Sequence, residues 1–356
     1  MCSSDLVRVR RLRHYIPREP RGLARLLSEA SFGLRLLVAR RLPADVSLLV
    51  SPALFSSALA LLSPRRRPCV LWVQDLYSLG IAETGAGGPA VQRFVTSVER
   101  WALRRASHVV VIHERFREHV VNVLAIPGDR VTVRRNWTHL TGPTGVDRHA
   151  VRRTLGWGAG ETVVLHAGNQ GAKQGLENVV AAAGLADERG APVRFVLLGD
   201  GNQRAKLERE ATGLRRIEFV DPLPDAEYQA AMAAADVLLV NELAGVAGMA
   251  VPSKLTSYYT TGRPVLAATS SESVTAAEVR AAGAGMVVPP EDPAALLDSV
   301  LALRDDPEHA ETLGAAGPAF VKNVLSQDSA IAEFAALLAA VASEGRGGRR
   351  RRPVAT

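Results

Sequence analysis

Ten short apolar runs, each stopped by turn-forming residues, constrain what this chain can fold into more than any other feature. They are VSLLVSP (46–52), CVLWVQD (69–75), HVVVIH (108–113), VTVRRN (131–136), TVVLHAG (162–168), VRFVLLGDG (193–201), IEFVDP (217–222), DVLLVN (236–241), PVLAAT (264–269) and GMVVPP (285–290). Runs this short and this continuously apolar read as strands buried on both faces. Segments of helical period such as AVQRFVTSVERWALRRA and NQRAKLEREATGL lie between them. Strand, helix, strand, repeated along the chain, predicts an α/β fold of parallel sheets covered by helices. Ten strands exceed one compact sheet, so two Rossmann-like, doubly wound domains are expected. The break falls after Asn136 and Trp137, in HLTGPTGVDRHAV, where turn formers replace the apolar period. The expected organisation is a first domain over 7–142, a second over 143–325, a closing helix over 326–345 and a disordered tail over 346–356.

A chain of 356 residues, 47% of them hydrophobic, can bury two cores. Its net charge of +7 belongs to its ends. Residues 1–43 hold ten Arg against Asp5, Glu19 and Glu29, and the tail RGGRRRRPVAT adds five Arg and no acid, which leaves the middle net acidic. The tail is too polar and glycine-rich to fold, and reads as a solubilising extension ahead of a ligand for nucleic acid or anionic lipid. No specific nucleic-acid partner is expected. Cys2 and Cys69 make no disulfide framework, and no CxxC or HExxH spacing points to a metal. No uncharged apolar run reaches the roughly eighteen residues that span a bilayer, and the basic opening lacks the apolar core of a secretory signal. A cytoplasmic location follows as the expectation.

Two strand ends carry glycine turns. In an open parallel sheet, ligands sit beyond the carboxyl ends of the strands, where helix N–H groups favour phosphate. HAGNQGAKQG (166–175) occupies such a place. Gly168 and Gly171 permit close backbone approach, Asn169 and Gln170 supply neutral donors, and Lys173 supplies charge; the alternative is a tight turn with a solvated lysine. VRFVLLGDGNQR resembles the start of a dinucleotide fingerprint, with Asp221 twenty residues beyond Gly201, but Arg204 stands where the third glycine belongs. In VAGMAVPSKLTSYYTTGRPVLAAT (246–269), Ser253 reads as an N-cap with Lys254 in the first turn. A lysine there opposes the helix dipole, a conflict that a bound anion resolves and that solvation also relieves.

HAGNQGAKQGLENVV, VRFVLLGDG, PLPDAEYQAAMAAADVLLV and VPSKLTSYYTTGRPVLAAT, in this order, resemble the C-terminal half of a family-four, GT-B-fold glycosyltransferase, and of its capsule and colanic-acid branch in particular. LWVQDLY (71–77), VVVIHERF (109–116) and RRNW (134–137) extend the resemblance into the N-terminal half. It implies two Rossmann-like domains facing a cleft and a nucleotide-diphosphate-sugar as co-substrate, with no metal or other cofactor. The sugar would pass, with retention of configuration, to a lipid-linked glycan acceptor held by the first domain. Carried over, Gly168, Asn169, Gln170, Gly171 and Lys173 match the turn that holds the donor diphosphate. Asn169 replaces the usual arginine there, so Lys173 is expected to neutralise most of the charge. Gly199, Asp200 and Gly201 match the turn that walls the nucleotide, and Val220 to Leu223 the lining of the base. Pro252, Ser253 and Lys254 match the loop over sugar and diphosphate.

Two departures stand out. The two glutamates of the family's E-x7-E pattern fall on Met249 and Ser257, with Glu242 in a shifted place, so ribose recognition is left to Ser257 or to backbone groups. The strand, glycine loop and helix expected at the front are not matched, which suggests an incomplete reading frame lacking about fifty residues, the size of a βαβ unit. Asp75, at the end of CVLWVQD, is the candidate to orient the acceptor hydroxyl or take its proton; the alternative is a cap on the following helix. His113 reads as structural ahead of sugar-binding. Arg8, Arg10, Arg11, Arg13, Arg21 and Arg25 offer peripheral contact with an anionic inner membrane face, with a solvated surface as the equal alternative. Competing functions are a nucleotide-sugar epimerase, an NAD-dependent enzyme and a non-catalytic nucleotide-binding remnant.

Overall fold

The computed structural model describes residues 9–18, 22–39, 43–63, 67–84, 88–138, 140, 142, 145–245 and 253–350. All ten apolar runs form strands. The first sheet contains β1 (Ser47–Val50), β2 (Cys69–Val73), β3 (His108–Val111) and β4 (Val131–Val133). The second contains β5 (Thr162–Ala167), β6 (Val193–Leu198), β7 (Ile217–Val220), β8 (Val237–Asn241), β9 (Val265–Ala268) and β10 (Gly285–Val288). Every pairing is parallel. Helices supply the crossovers, as parallel strands require.

The chain divides into two compact units. One combines residues 1–134 with 332–356, and the other is 135–331. The terminal helix Gln327–Arg350 therefore leaves the second unit partway and joins the first. Within the first unit Phe334 packs on Trp72 of β2, ring centroids 4.8 Å apart, and Glu333 pairs with Arg134 at 2.8 Å. This helix runs through Arg350, beyond the end read from sequence and into the stretch taken as disordered. By length and composition alone, residues 307–344 include helix apolar enough to cross a bilayer, though charged residues interrupt it and no uncharged run there reaches eighteen residues. Phe334 and Val341 within it are buried on the protein.

The first sheet runs β1-β2-β3-β4 in chain order. Its crossovers are tied by two acids, Glu29 half-buried and Glu99 buried. Glu29, on the helix Gly22–Val38, accepts hydrogen bonds from the Tyr77 hydroxyl (2.6 Å) and the Phe55 amide (3.2 Å). Glu99, on the helix Gly88–Arg105, accepts the Tyr77 and Ser78 amides at 2.7 and 3.1 Å and so caps the helix Tyr77–Thr84. Burial pushes the Glu99 carboxyl up, while the hydrogen bonds from Ser78 and Tyr77 pull it back.

The second sheet has the order β10-β9-β8-β5-β6-β7. Its strands alternate between two cores. Val164, Phe195, Leu197, Leu239 and Leu266 enter one; Val163, Leu165, Val196, Leu238 and Val265 enter the other. β5 is buried at every position, which explains its continuous apolar character. Replacing Phe334 with alanine is expected to lower the stability of the first unit by about 3 kcal/mol through the cavity left against Trp72, read from denaturant unfolding.

Candidate functional site

Winding of the second sheet reverses at β5. The chain lays β6 and β7 to one side, then returns to place β8 on the other. β5 and β8 pair through Val164–Val237 and Leu165–Leu238, and beyond that point they part. The hydroxyl of fully buried Tyr258 fills the gap. It accepts the Ala167 amide at 2.8 Å and donates toward the Leu239 carbonyl at 3.3 Å. Burial pushes its ionisation far above the ordinary tyrosine range. Ligands of open α/β sheets sit at the carboxyl end of such a reversal.

The two glycine turns of the sequence meet there and interlock. Gly168 has φ +126° and Gly199 φ +130°, and a Cβ on Gly199 would overlap the Gly168 carbonyl. A Cβ on Gly201 would strike the Gln170 backbone. Gly199 and Gly201 thus let one turn pack on the other, a role that needs no ligand. The amides of Gly168, Gln170 and Gly171 are engaged internally, by Leu198 O (2.8 Å), Asp200 O (2.8 Å) and Gln174 Oε1 (3.1 Å). The Gln170 side chain is fully buried, its amide nitrogen donating to the Gly199 carbonyl at 3.0 Å. This corrects its sequence-based reading as a donor to ligand: the carbonyls at the end of β6 need a partner, and Gln170 is that partner.

Two cationic side chains lie at this turn. Lys173 is exposed on the short 3-10 turn Ala172–Gln174, and Asn169 is exposed beside it. Lys254, on the helix Ser253–Tyr258, reaches the other side: its Nζ lies 3.9 Å from where a Gly168 Cβ would stand. Burial pushes its ammonium down to about 7, with the Glu242 carboxylate pulling the other way. Nζ is also 3.1 Å from Nε2 of His166, a fully buried residue of β5. Desolvation first and the Lys254 charge second hold His166 well below the ordinary histidine range. Glu242, just past β8, accepts the hydroxyls of Thr269 (2.5 Å) and Thr275 (2.7 Å).

A buried amide pair, which the sequence reading missed, holds the Lys173 turn. Asn241, last residue of β8, donates to the carbonyls of Gln174 (2.7 Å) and Gly175 (2.9 Å) and accepts from Asn178 (2.9 Å). Gly175 is left-handed at φ +53°. The signal was a lone asparagine ending the apolar run DVLLVN. Asp200 is exposed, its carboxylate accepting the Gly201 amide at 2.7 Å. Val220 ends β7 half-buried, Leu223 follows it half-buried, and Ser257 is half-buried on the Lys254 helix. Ser253 is the first residue of that helix. Pro252, Met249, Arg8 and Arg21 lie outside the described residues. Arg204 donates to the Gly199 carbonyl (2.9 Å) and pairs with Asp221 (2.7 Å). The carboxylate that a dinucleotide ribose would need is thereby tied to the very residue that replaces the third glycine.

In the first unit, Asp75 follows β2 and lines a recess with Ser51, Tyr77 and Glu99. Its amide and carbonyl are bridged by the Ser51 hydroxyl, at 3.2 and 3.1 Å. Glu99 takes the helix N–H groups that Asp75 was weighed to cap. His113 is buried, and its Nδ1 caps the helix Glu114–Glu118 through the Arg115 amide at 3.1 Å. Asn241→Ala is expected to destabilise the second unit by about 3 kcal/mol, the cost of two buried carbonyls left without donors, and to raise hydrogen exchange around Gly175.

The chain matches two family models in tandem: a glycosyl transferase 4-like domain over residues 1–137 and a glycosyl transferases group 1 domain over 161–306. It is 33% identical over 267 residues to the putative colanic acid biosynthesis glycosyl transferase WcaI of Escherichia coli, covering 70% of this chain and 64% of that one. It is 32% identical over 161 residues to the 2-deoxystreptamine glucosyltransferase of Streptomyces kanamyceticus, covering 41% and 39%. The chain thus spans less than two thirds of the length of these curated relatives. Among solved structures, HepE of Anabaena in complex with UDP-glucose superposes with a TM-score of 0.69 at 19% identity, over 90% of this chain and 84% of that one. Sucrose-phosphate synthase of Thermosynechococcus elongatus gives 0.69 at 20%, over 91% and 79%. With two parallel α/β units, a group 1 domain bearing the switch-point site and a 4-like domain before it, the chain belongs to the GT-B-fold glycosyltransferases.

Proposed function

We propose that this protein transfers a sugar from a nucleoside-diphosphate-sugar to a glycan acceptor in cell-surface polysaccharide synthesis, with retention of configuration. The observation that carries this reading is Lys254 Nζ beside Gly168 at the reversal of the second sheet, with Lys173 exposed on the same glycine turn. A diphosphate leaving group needs positive charge fixed in advance, because charge already in place costs no reorganisation when the bond breaks. With three turn amides engaged internally, that duty falls on the two lysines. The bond between the sugar's anomeric carbon and the diphosphate oxygen breaks as the acceptor hydroxyl attacks from the same face. The hydroxyl proton leaves with the departing phosphate or passes to a carboxylate. Asp75 is the first unit's candidate for that carboxylate, held at its backbone by Ser51. Val220 and Leu223 suit a base, and Ser257 a ribose hydroxyl.

A lipid-linked acceptor at the inner membrane face, approached through the basic N-terminal segment, fits the similarity to a colanic-acid enzyme and the charge of residues 1–43. The structure of HepE with UDP-glucose supports a uridine donor as the first to test. The Arg204–Asp221 pair disfavours the dinucleotide alternative.

A thermal-shift panel of UDP, GDP and NAD tests the reading. One of the diphosphates is expected to raise the melting temperature and NAD to leave it unchanged; stabilisation by NAD alone overturns the proposal. Lys254→Ala and Lys173→Ala are each expected to weaken that nucleotide roughly 10- to 100-fold, the loss of one hydrogen bond to a charged group. Unchanged circular dichroism separates this effect from misfolding.

A further inference from the structure

Nothing in the transfer reaction, as derived above, uses His166. It nonetheless stands fully buried at the end of β5 with Nε2 3.1 Å from Lys254 Nζ. Two like charges this close in a desolvated place repel, so the stable arrangement has one neutral partner. An imidazole can accept a hydrogen bond from an ammonium when its own proton sits on Nδ1. The carbonyl of Asn169, in the glycine turn, lies 3.5 Å from the same Nε2, which places the pair directly beneath that turn. Glu242 faces Lys254 from the end of β8, and Tyr258 lies on the same helix as Lys254.

We propose that His166 is the positioning residue of the anion seat: its neutral imidazole accepts a hydrogen bond from the Lys254 ammonium and fixes that charge beside Gly168, where the donor diphosphate docks. The docking clause rests on the function proposed above; the pairing stands on the geometry alone. A consequence follows for pH. Lys254 is held near 7 when the seat is free, and a bound diphosphate raises it by opposite charge. Binding above neutrality then takes up a proton. Affinity is full below the free-state value and falls by about tenfold per pH unit above it, until the raised value of the complex is reached.

Acylation of Lys254 by a neutral amine reagent, followed by peptide mass spectrometry across the neutral and alkaline range, reads this titration without ligand. In the unmodified chain the midpoint is expected near 7. His166→Gln keeps an acceptor and should retain it, whereas His166→Leu removes the acceptor and should lower it by about one pH unit. If the leucine variant does not fold, His166→Asn, whose shorter amide withdraws the acceptor, reads the same displacement. Calorimetry with UDP and GDP in buffers of different ionisation enthalpy should show proton uptake above neutrality, and about tenfold weaker binding in the leucine variant. An identical midpoint with and without the acceptor, or a midpoint near that of free lysine, overturns the pairing whatever nucleotides do. The expected titration with no binding of UDP, GDP or inorganic pyrophosphate would instead retire the donor reading and leave the pairing established.

Discussion

The parting of β5 and β8 is the constraint on which the rest of the second unit depends. A sheet wound first one way and then the other must bring together two strands whose crossovers leave on opposite sides, and their carboxyl ends are pulled apart. Backbone groups exposed by that parting cannot be left bare in a core, where each would cost about 1–3 kcal/mol. The Tyr258 hydroxyl closes the gap, bonded to Ala167 and directed at Leu239. This hydroxyl and Lys254 share one short helix, so the residue that seals the sheet also sets the lysine at the mouth of the opening.

Around this point the chemistry is divided between backbone and side chains. Three amides of the glycine turn are engaged within the protein, that of Gln170 by the Asp200 carbonyl of the other glycine turn. Lys173 and Lys254 are the ammonium groups at this turn, the first exposed and the second half-buried. The second comes at a cost, because an ammonium removed from water is disfavoured unless something compensates it. Glu242 compensates in part from a distance, its own oxygens held by two threonine hydroxyls. An anionic ligand would complete the compensation, which is why the local electrostatics and the family assignment point the same way.

The first unit uses acids differently. Glu29 and Glu99 accept helix-start amides and a tyrosine hydroxyl and so tie the crossovers together. Asp75 stands just past β2, its amide and carbonyl bridged by the Ser51 hydroxyl. The terminal helix adds its aromatic contact to the same sheet through Phe334 and Trp72, so one unit is built from both ends of the chain.

The apolar runs by themselves determined the ten strands, their parallel arrangement and the α/β class, because central strands such as β5 are buried on both faces and leave a continuous hydrophobic signature, whereas edge strand β1 alternates half-buried and exposed positions. They also located the glycine turn at 166–175 and the lysine of VPSKL, since glycine and charge at a strand end are local features. Which side chains turn inward was decided by tertiary contacts. Gln170 turns inward, its amide nitrogen donating to the Leu197 and Gly199 carbonyls, and Asn241 reaches the Lys173 turn from a strand 67 residues away. The pairing of His166 with Lys254 joins residues 88 apart through the reversal of the sheet. Linear spacing reports periodicity and turns; it holds no record of which backbone groups a distant strand leaves unpaired, and that need is what aimed these side chains.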